Sequence, residues 1–353
     1  MSQSHLASGI ENLARQFQVF AQRESDVNPS PLYSILARNV AKDSTMLTLA
    51  SHARPGQPVP NIFFAAVHYL LLSGTQHPLA AFYPSLTALP AKLIGVYPIF
   101  RAFCQQYEDQ LREIISTRRV QTNEICRCAC LLPMFEIVSQ LGRKRPLAII
   151  EIGTSAGLNL LWDQYGYRYG DVFSGGNRTS ALQLDCELRG PKVPPLPPEM
   201  PEVTLRVGLD LHPINISNPD AVLWLRALIW PEHKERFTRL QNALEIVRQQ
   251  RPLVLAGDAL KLLPTIMANV PMDTTLCIFH SFTFNQIPED ARQEFSNILI
   301  SASRHREIFR IAYEAIADGT DPTLDLSLYL QGLETRQTLA RAAAHGSWME
   351  WLA

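Results

Sequence analysis

The chain has no run of five or six like charges and almost no net charge, −1 at pH 7 from 32 basic and 33 acidic residues. That balance does not draw the whole molecule toward nucleic acid or an anionic membrane surface. Long apolar runs are missing too. The longest lies near Ile62–Leu72 and contains His68, whereas a helix that crosses a bilayer takes about 20 apolar residues. The first residues, Met1-Ser2-Gln3-Ser4-His5, are polar and lead into an amphipathic segment in place of an apolar signal core. These absences predict a cytoplasmic protein with neither a membrane nor a nucleic-acid partner. No internal repeat is evident, and 353 residues suffice for one large domain or two ordinary ones.

Cysteine is scarce, with six residues and no C-x-x-C. Cys126, Cys128 and Cys130 form a C-x-C-x-C within a stretch, 123–141, that reads as helical. On a helix Cys126 and Cys130 share a face and Cys128 points elsewhere. A structural zinc site needs four converging ligands, so the expectation is core-filling thiols and no metal. Disulfides are not expected in a cytoplasmic chain.

Residues 1–145 read as helices. Ile10, Leu13, Phe17 and Phe20 recur on one face. Shorter helices follow over Pro31–Val40 and Ser44–Ala50, the second capped by Asp43 or Ser44. Asn61–Leu72 is apolar nearly all round and reads as a buried helix. Pro98–Ser116 and 123–141 complete the region. After Pro146 the pattern changes to five apolar runs, Leu147–Ile152, Val203–Leu209, Leu253–Ala256, Thr275–Phe279 and Ile308–Tyr313, mostly separated by helical stretches. Such alternation predicts an α/β fold with a mostly parallel, covered sheet. Thr335–Ala344 and Trp348–Leu352, around His345-Gly346-Ser347, read as a closing antiparallel hairpin. An insertion at about 165–200 reads as a β-excursion followed by an extended proline segment near the sheet edge.

Chemistry concentrates at the strand ends, where open α/β sheets hold ligands. Leu147–Trp162 reads as a buried strand, a turn of small residues and a helix start with unpaired N–H groups. Glu151-x-Gly153-x-Ser155-x-Gly157 resembles the first motif of S-adenosylmethionine-dependent methyltransferases. In that reading Gly153, Thr154, Ser155 and Gly157 admit a ligand to the backbone, Asp210 accepts from ribose hydroxyls, and Asp258, with Ala259 beside it, accepts from the adenine amino group. His280 is the candidate base, and Ser281 faces the substrate. Asp210 also reads as a turn residue, and Asp258 as a helix N-cap.

The same letters spell G-x-S-x-G, the elbow of α/β-hydrolases, with Ser155, Asp258 and His280 in hydrolase order. Against that stand the helical reading of everything upstream and Glu151, whose charge would oppose an oxyanion. A third reading is an adenosyl-binding or regulatory protein on a degenerate methyltransferase fold. His68, Tyr83, Asn123 and Glu124 are candidate lid or substrate residues; a hydrogen-bonded core histidine and a helix cap are the structural readings of His68 and Asn123-Glu124.

Two resemblances bear on these choices. Arg54-Pro55-Gly56-Gln57-Pro58, His77-Pro78-Leu79-Ala80, Thr122-Asn123-Glu124, the Glu151–Leu160 segment, Gly208-Leu209-Asp210-Leu211, Trp224–Pro231 and Gly257-Asp258-Ala259 together resemble a bacterial family catalogued as domain of unknown function 2332. That resemblance spans nearly the whole chain and brings no activity with it. Residues 146–353 resemble S-adenosylmethionine-dependent methyltransferases. This implies a Rossmann-like sheet with a C-terminal antiparallel hairpin, a helical cap over residues 1–145, S-adenosylmethionine as cofactor and a small-molecule or peptidic methyl acceptor.

Overall fold

A computed structural model describes residues 3–24, 29–121, 124–315 and 320–353. Contacts divide the chain between Thr122 and Asn123, not at 145/146: one unit takes Met1–Thr122 with Ser217–Leu240, the other Asn123–Ile216 with Gln241–Ala353. Among the described residues no helix is long and apolar enough to cross a membrane.

The first unit is helical. α1 (Gln3–Val19), α2 (Pro31–Val40), α3 (Ser44–Ala50), α4 (Val59–Leu72), α5 (Val96–Gln106), α6 (Glu108–Thr117) and α8 (Pro219–Ala227) surround a core of Phe17, Tyr33, Phe63, Phe64, Phe100, Trp224 and Trp230. Asp43 caps α3, accepting from the Thr45 and Met46 N–H groups at 3.0 and 3.2 Å. The helix expected over Pro98–Ser116 is broken at Tyr107, which leaves helical geometry at φ −112°, ψ 27°. The segment carrying Trp224 and Trp230 is strung between two strands of the other unit, yet buries both indoles among the N-terminal helices. Burial of large aromatic surface outweighs closeness in sequence.

The second unit is built on a nine-stranded sheet. Its strands are β1 (Leu147–Ile152), β5 (Glu187–Arg189), β6 (Val203–Asp210), β7 (Leu253–Ala256), β8 (Thr275–Ser281), β9 (Ile308–Glu314), β10 (Thr323–Leu330), β11 (Leu333–Ala342) and β12 (Trp348–Trp351), in the order β5-β12-β11-β10-β9-β8-β1-β6-β7. From β7 to β9 all neighbours are parallel, and β9 to β12 form an antiparallel meander. All six β1 side chains are buried, as a central strand covered on both faces requires. The closing hairpin is present as β11 and β12, and β10 is a strand the sequence reading lacked. The insertion gives a separate three-stranded sheet of β2 (Gly166–Tyr169), β3 (Phe173–Gly176) and β4 (Gln183–Asp185). Its last strand, β5, adds to the outer edge beyond β12, far across the sheet from β1.

α7 (Arg127–Leu141) belongs to this second unit. Its cysteines are buried and free: Cys128 Sγ donates to Asn159 Oδ1 at 3.3 Å, and Cys130 Sγ lies 4.0 Å from Cys186 Sγ. Among the described residues no group of three or more His, Cys, Asp or Glu is placed to hold a metal ion.

The helix expected after the small-residue turn is not there. Asn159–Gln164 is six residues of 3-10 helix, and Leu161 departs from it at φ −105°, ψ 24°. Leu160, Leu161 and Trp162 are all buried, so the segment has no solvent face to give an amphipathic helix. Trp162 stacks on Phe135 at 4.2 Å, and Tyr165 Oη donates to Leu158 O at 2.6 Å. The side chains are drawn inward and the chain turns directly into β2. No α-helix N-terminus therefore stands at the end of β1, and the row of unpaired N–H groups expected from sequence does not form there.

Candidate functional site

Read across the sheet, the five parallel strands run β7-β6-β1-β8-β9. The chain order reverses between β1 and β8, and open α/β sheets place their ligand crevice outside the carboxyl ends at such a reversal. Four of the strand ends expected to carry polar residues converge there: β1 with Glu151, β6 with Asp210, the turn after β7 with Asp258, and β8 with His280 and Ser281.

The turn after β1 is held from two sides. Gly153, Ser155 and Gly157 have φ of 75°, 53° and 74°. Glycine adopts such values freely, whereas serine there is strained. Asp210 supports the strained residue: Oδ2 accepts the Ser155 N–H at 2.8 Å and Oδ1 accepts the His212 N–H at 2.8 Å. From beneath, Glu151 accepts from Thr154 Oγ1 at 2.5 Å and Asn159 Nδ2 at 3.3 Å. Glu151 is buried, and burial pushes its carboxyl up to about 8, with the Asp210 charge adding to the rise while the two donors and Arg127 oppose it. At neutral pH this group is mostly uncharged. It lies inside the turn and organises it.

Gly153 also has a packing reason. A Cβ there would lie 2.2 Å from Thr283 Oγ1, and that hydroxyl donates to Ile152 O at 3.2 Å. The strand end is sealed by Thr283 at this point. Asp258 caps α10 (Ala259–Ala268), accepting the Leu260 N–H at 3.0 Å, and the preceding Gly257 N–H donates to Asp210 O at 2.9 Å. The two acids thus stand on adjoining loops, with Ala259 opening the helix beside Asp258.

His280 does not occupy the position of a base. Its side chain is fully buried and stacked on Phe284 at 3.8 Å. Nδ1 pairs with Glu314 Oε1 at 2.6 Å, and Nε2 accepts from Arg310 Nε at 3.1 Å. Burial lowers its pKa to about 4, so the ring is neutral with its lone pair on Nε2 already engaged. The same commitments leave the Ser155–Asp258–His280 triad unassembled, since neither ring nitrogen is directed to a serine or to Asp258. Ser281 Oγ accepts from Arg127 Nη1 at 3.4 Å.

Arg127 is the residue that sequence reasoning missed. It is buried, donates from Nε to Ala344 O at 2.9 Å, and covers the Phe282 ring at 4.0 Å. Phe282 has φ 54°, a rare value for a bulky residue. Its place after the polar strand end His280-Ser281 was the available signal. Glu124 is buried and accepts the Cys126 N–H at 3.3 Å; the helix that follows starts at Arg127 with no side-chain cap. Asn123 lies outside the described residues. His68 and Tyr83 belong to the core of the first unit. His68 Nδ1 pairs with Ala227 O at 3.1 Å and Nε2 with Ser85 Oγ at 2.8 Å, the hydrogen-bonded core histidine of the structural reading.

No curated protein and no solved structure matches the chain. A family model described as "uncharacterized protein conserved in bacteria" matches residues 14–351. The chain belongs to that family, DUF2332.

Proposed function

We propose that the second unit binds S-adenosylmethionine at the carboxyl ends of β1, β6 and β7 and transfers its methyl group to a small-molecule or peptidic acceptor. The observation that carries this reading is the pairing of Asp210 with the Ser155 N–H, which joins an acid at the end of β6 to the small-residue turn after β1. The donor set suits the ligand. Carboxylates accept only and have about four lone-pair sites, so Asp210 can hold its two backbone donors and still accept from ribose hydroxyls. Asp258 can likewise cap α10 and accept from the adenine amino group. The glycines take part through their φ values and through packing under Thr283, not as a cradle left open for the ligand.

S-adenosylmethionine held by Asp210 and Asp258 would supply an electrophilic methyl group to the acceptor's lone pair, the electrons of the carbon–sulfur bond staying on sulfur. Such an in-line displacement gains mostly from positioning. The chain's own part is to hold Asp210 and the turn in register and to keep Glu151 uncharged beneath them. An adenosyl-binding protein without turnover is the second reading. It is favoured by the one observation that the expected base, His280, is committed on both nitrogens.

Calorimetric titration with S-adenosylmethionine and S-adenosylhomocysteine tests the proposal. Micromolar binding is expected. Asp258→Ala removes a cap worth about 1 kcal/mol to the helix, so Asp258→Ser, which keeps a cap but shortens the reach, is the cleaner variant. It should weaken binding by about 1–3 kcal/mol if the hydrogen bond is made. Absence of binding by either ligand to the folded protein refutes the reading.

A further inference from the structure

His345 lies in the turn between β11 and β12, and its Nδ1 stands 3.5 Å from Glu124 Oε2. The two members differ sharply in environment, with the glutamate side chain 5% exposed and the histidine 41%. At 3.5 Å the contact is electrostatic, and a buried carboxylate at that range favours the protonated imidazole.

The turn is held firmly. A Cβ on Gly346 (φ 71°) would fall 2.3 Å from the Cys126 carbonyl oxygen, so only glycine lets the turn press against the start of α7. On the other side of His345, Ala344 O accepts from Arg127 Nε at 2.9 Å. Arg127 in turn reaches Ser281 and lies near enough to Glu151 to lower its pKa. One buried arginine therefore links the His345 turn to the ends of β8 and β1.

We infer that Glu124 and His345 form the acid–base dyad of the candidate site, with His345 Nε2 taking the proton of the methyl acceptor. The inference rests on the transferase reading and supplies the base that His280 cannot. The acceptor's N–H or O–H proton passes to Nε2 and then to water, and the Glu124 carboxylate stabilises the imidazolium formed in between. Pairing with a carboxylate raises the basicity of an imidazole. The charged and titratable groups on the described elements around the turn include Glu124, Cys126, Arg127 and Cys130 from α7 and its lead, Tyr313 from β9, Glu187 and Arg189 from β5, and the Arg341–Glu350 pair on β11 and β12 themselves. Glu124 is paired with the imidazole.

Proton NMR of the full chain tests this without a known acceptor. His345→Gln assigns the His345 Cε1–H signal among nine histidines. Glu124→Gln should lower the His345 pKa by about one unit, a tenfold loss of proton affinity. Saturating S-adenosylhomocysteine should shift the His345 signal in the unmodified protein, a measurement that needs no variant to fold. A His345 titration indifferent to Glu124→Gln overturns the dyad. Ligand binding seen by calorimetry that leaves the His345 signal unmoved overturns its place in the site while the transferase reading stands. If calorimetry shows no binding, the transferase reading fails, and the Glu124→Gln titration still decides whether the dyad exists.

Discussion

Asp210 Oδ2 accepts the N–H of Ser155, a residue held at φ 53°, at 2.8 Å. An acid at the end of one strand therefore maintains a strained turn at the end of its neighbour. Asp210→Ala removes the acceptor for both Ser155 and His212, and should cost about 1–3 kcal/mol of stability. Urea unfolding measures that loss. Asp210→Asn keeps one acceptor oxygen and should lose roughly half as much.

Ser155→Gly separates the two readings of the G-x-S-x-G motif. Glycine adopts φ 53° without strain, so the variant should fold with stability unchanged or raised by up to about 1 kcal/mol. Adenosyl binding should survive, because the contact to Asp210 uses the backbone N–H. A serine-directed fluorophosphonate should not label Ser155 in the unmodified protein. Labelling there, lost in Ser155→Gly, would restore the hydrolase reading.

Gly153→Ala meets two obstacles, the positive φ and the Thr283 hydroxyl 2.2 Å from the new Cβ. We expect a loss of more than about 2 kcal/mol, in the range of overpacked core sites. Adding Thr283→Ala removes the hydroxyl and methyl and should recover part of that loss. What remains measures the backbone strain. A double-mutant cycle by thermal unfolding reads the coupling.

Glu151 makes stability fall as pH rises. Its carboxyl stands at about 8 in the folded chain against 4.5 for the free group, so between those values the folded state holds a proton that the unfolded state has released. Stability then declines from about pH 4.5 to about pH 8 and levels off above, by an amount of the order of a few kcal/mol. Glu151→Gln should flatten this slope in denaturant titrations across that window.

His280 and His68 act at the acid end with the opposite sign. Burial lowers both to about 4 from 6.5. The unfolded chain therefore binds protons first, and stability is lost as pH falls from about 6.5 through 4. A His68→Gln variant should lose less stability than the unmodified protein between pH 6.5 and 4, measured relative to its own value at pH 7.

The five parallel strands and the closing hairpin were legible because their apolar runs are short, β-branched and flanked by turn residues. β10 carries the same signals. Thr323–Leu330 alternates, and Gln331-Gly332, both at positive φ, is the two-residue turn that joins it to β11. The absent helix after Gly157 was not legible. Its residues permit a helix, and only the burial of Trp162 against Phe135 and the tyrosine bonds to Leu158 and Trp162 draw it into a 3-10 turn. The candidate site divides in the same way. Asp210 and the small-residue turn could be paired from motif order, whereas no motif marks Arg127, whose place follows from its contacts with Ser281 and Ala344.

By itself the sequence determined the parallel strands, the acids at their ends and the glycines where φ must be positive, since these follow from local periodicity and backbone sterics. It also carried the family. Only the tertiary structure decided which polar groups are spent on the fold. His280 is locked between Glu314 and Arg310, and Glu151 is turned inward beneath its own loop. Residues 217–240 are given to the helical unit. The histidine's partners lie 30 and 34 residues away and the glutamate's 3 and 8, and a buried polar group must find a partner wherever the packing supplies one.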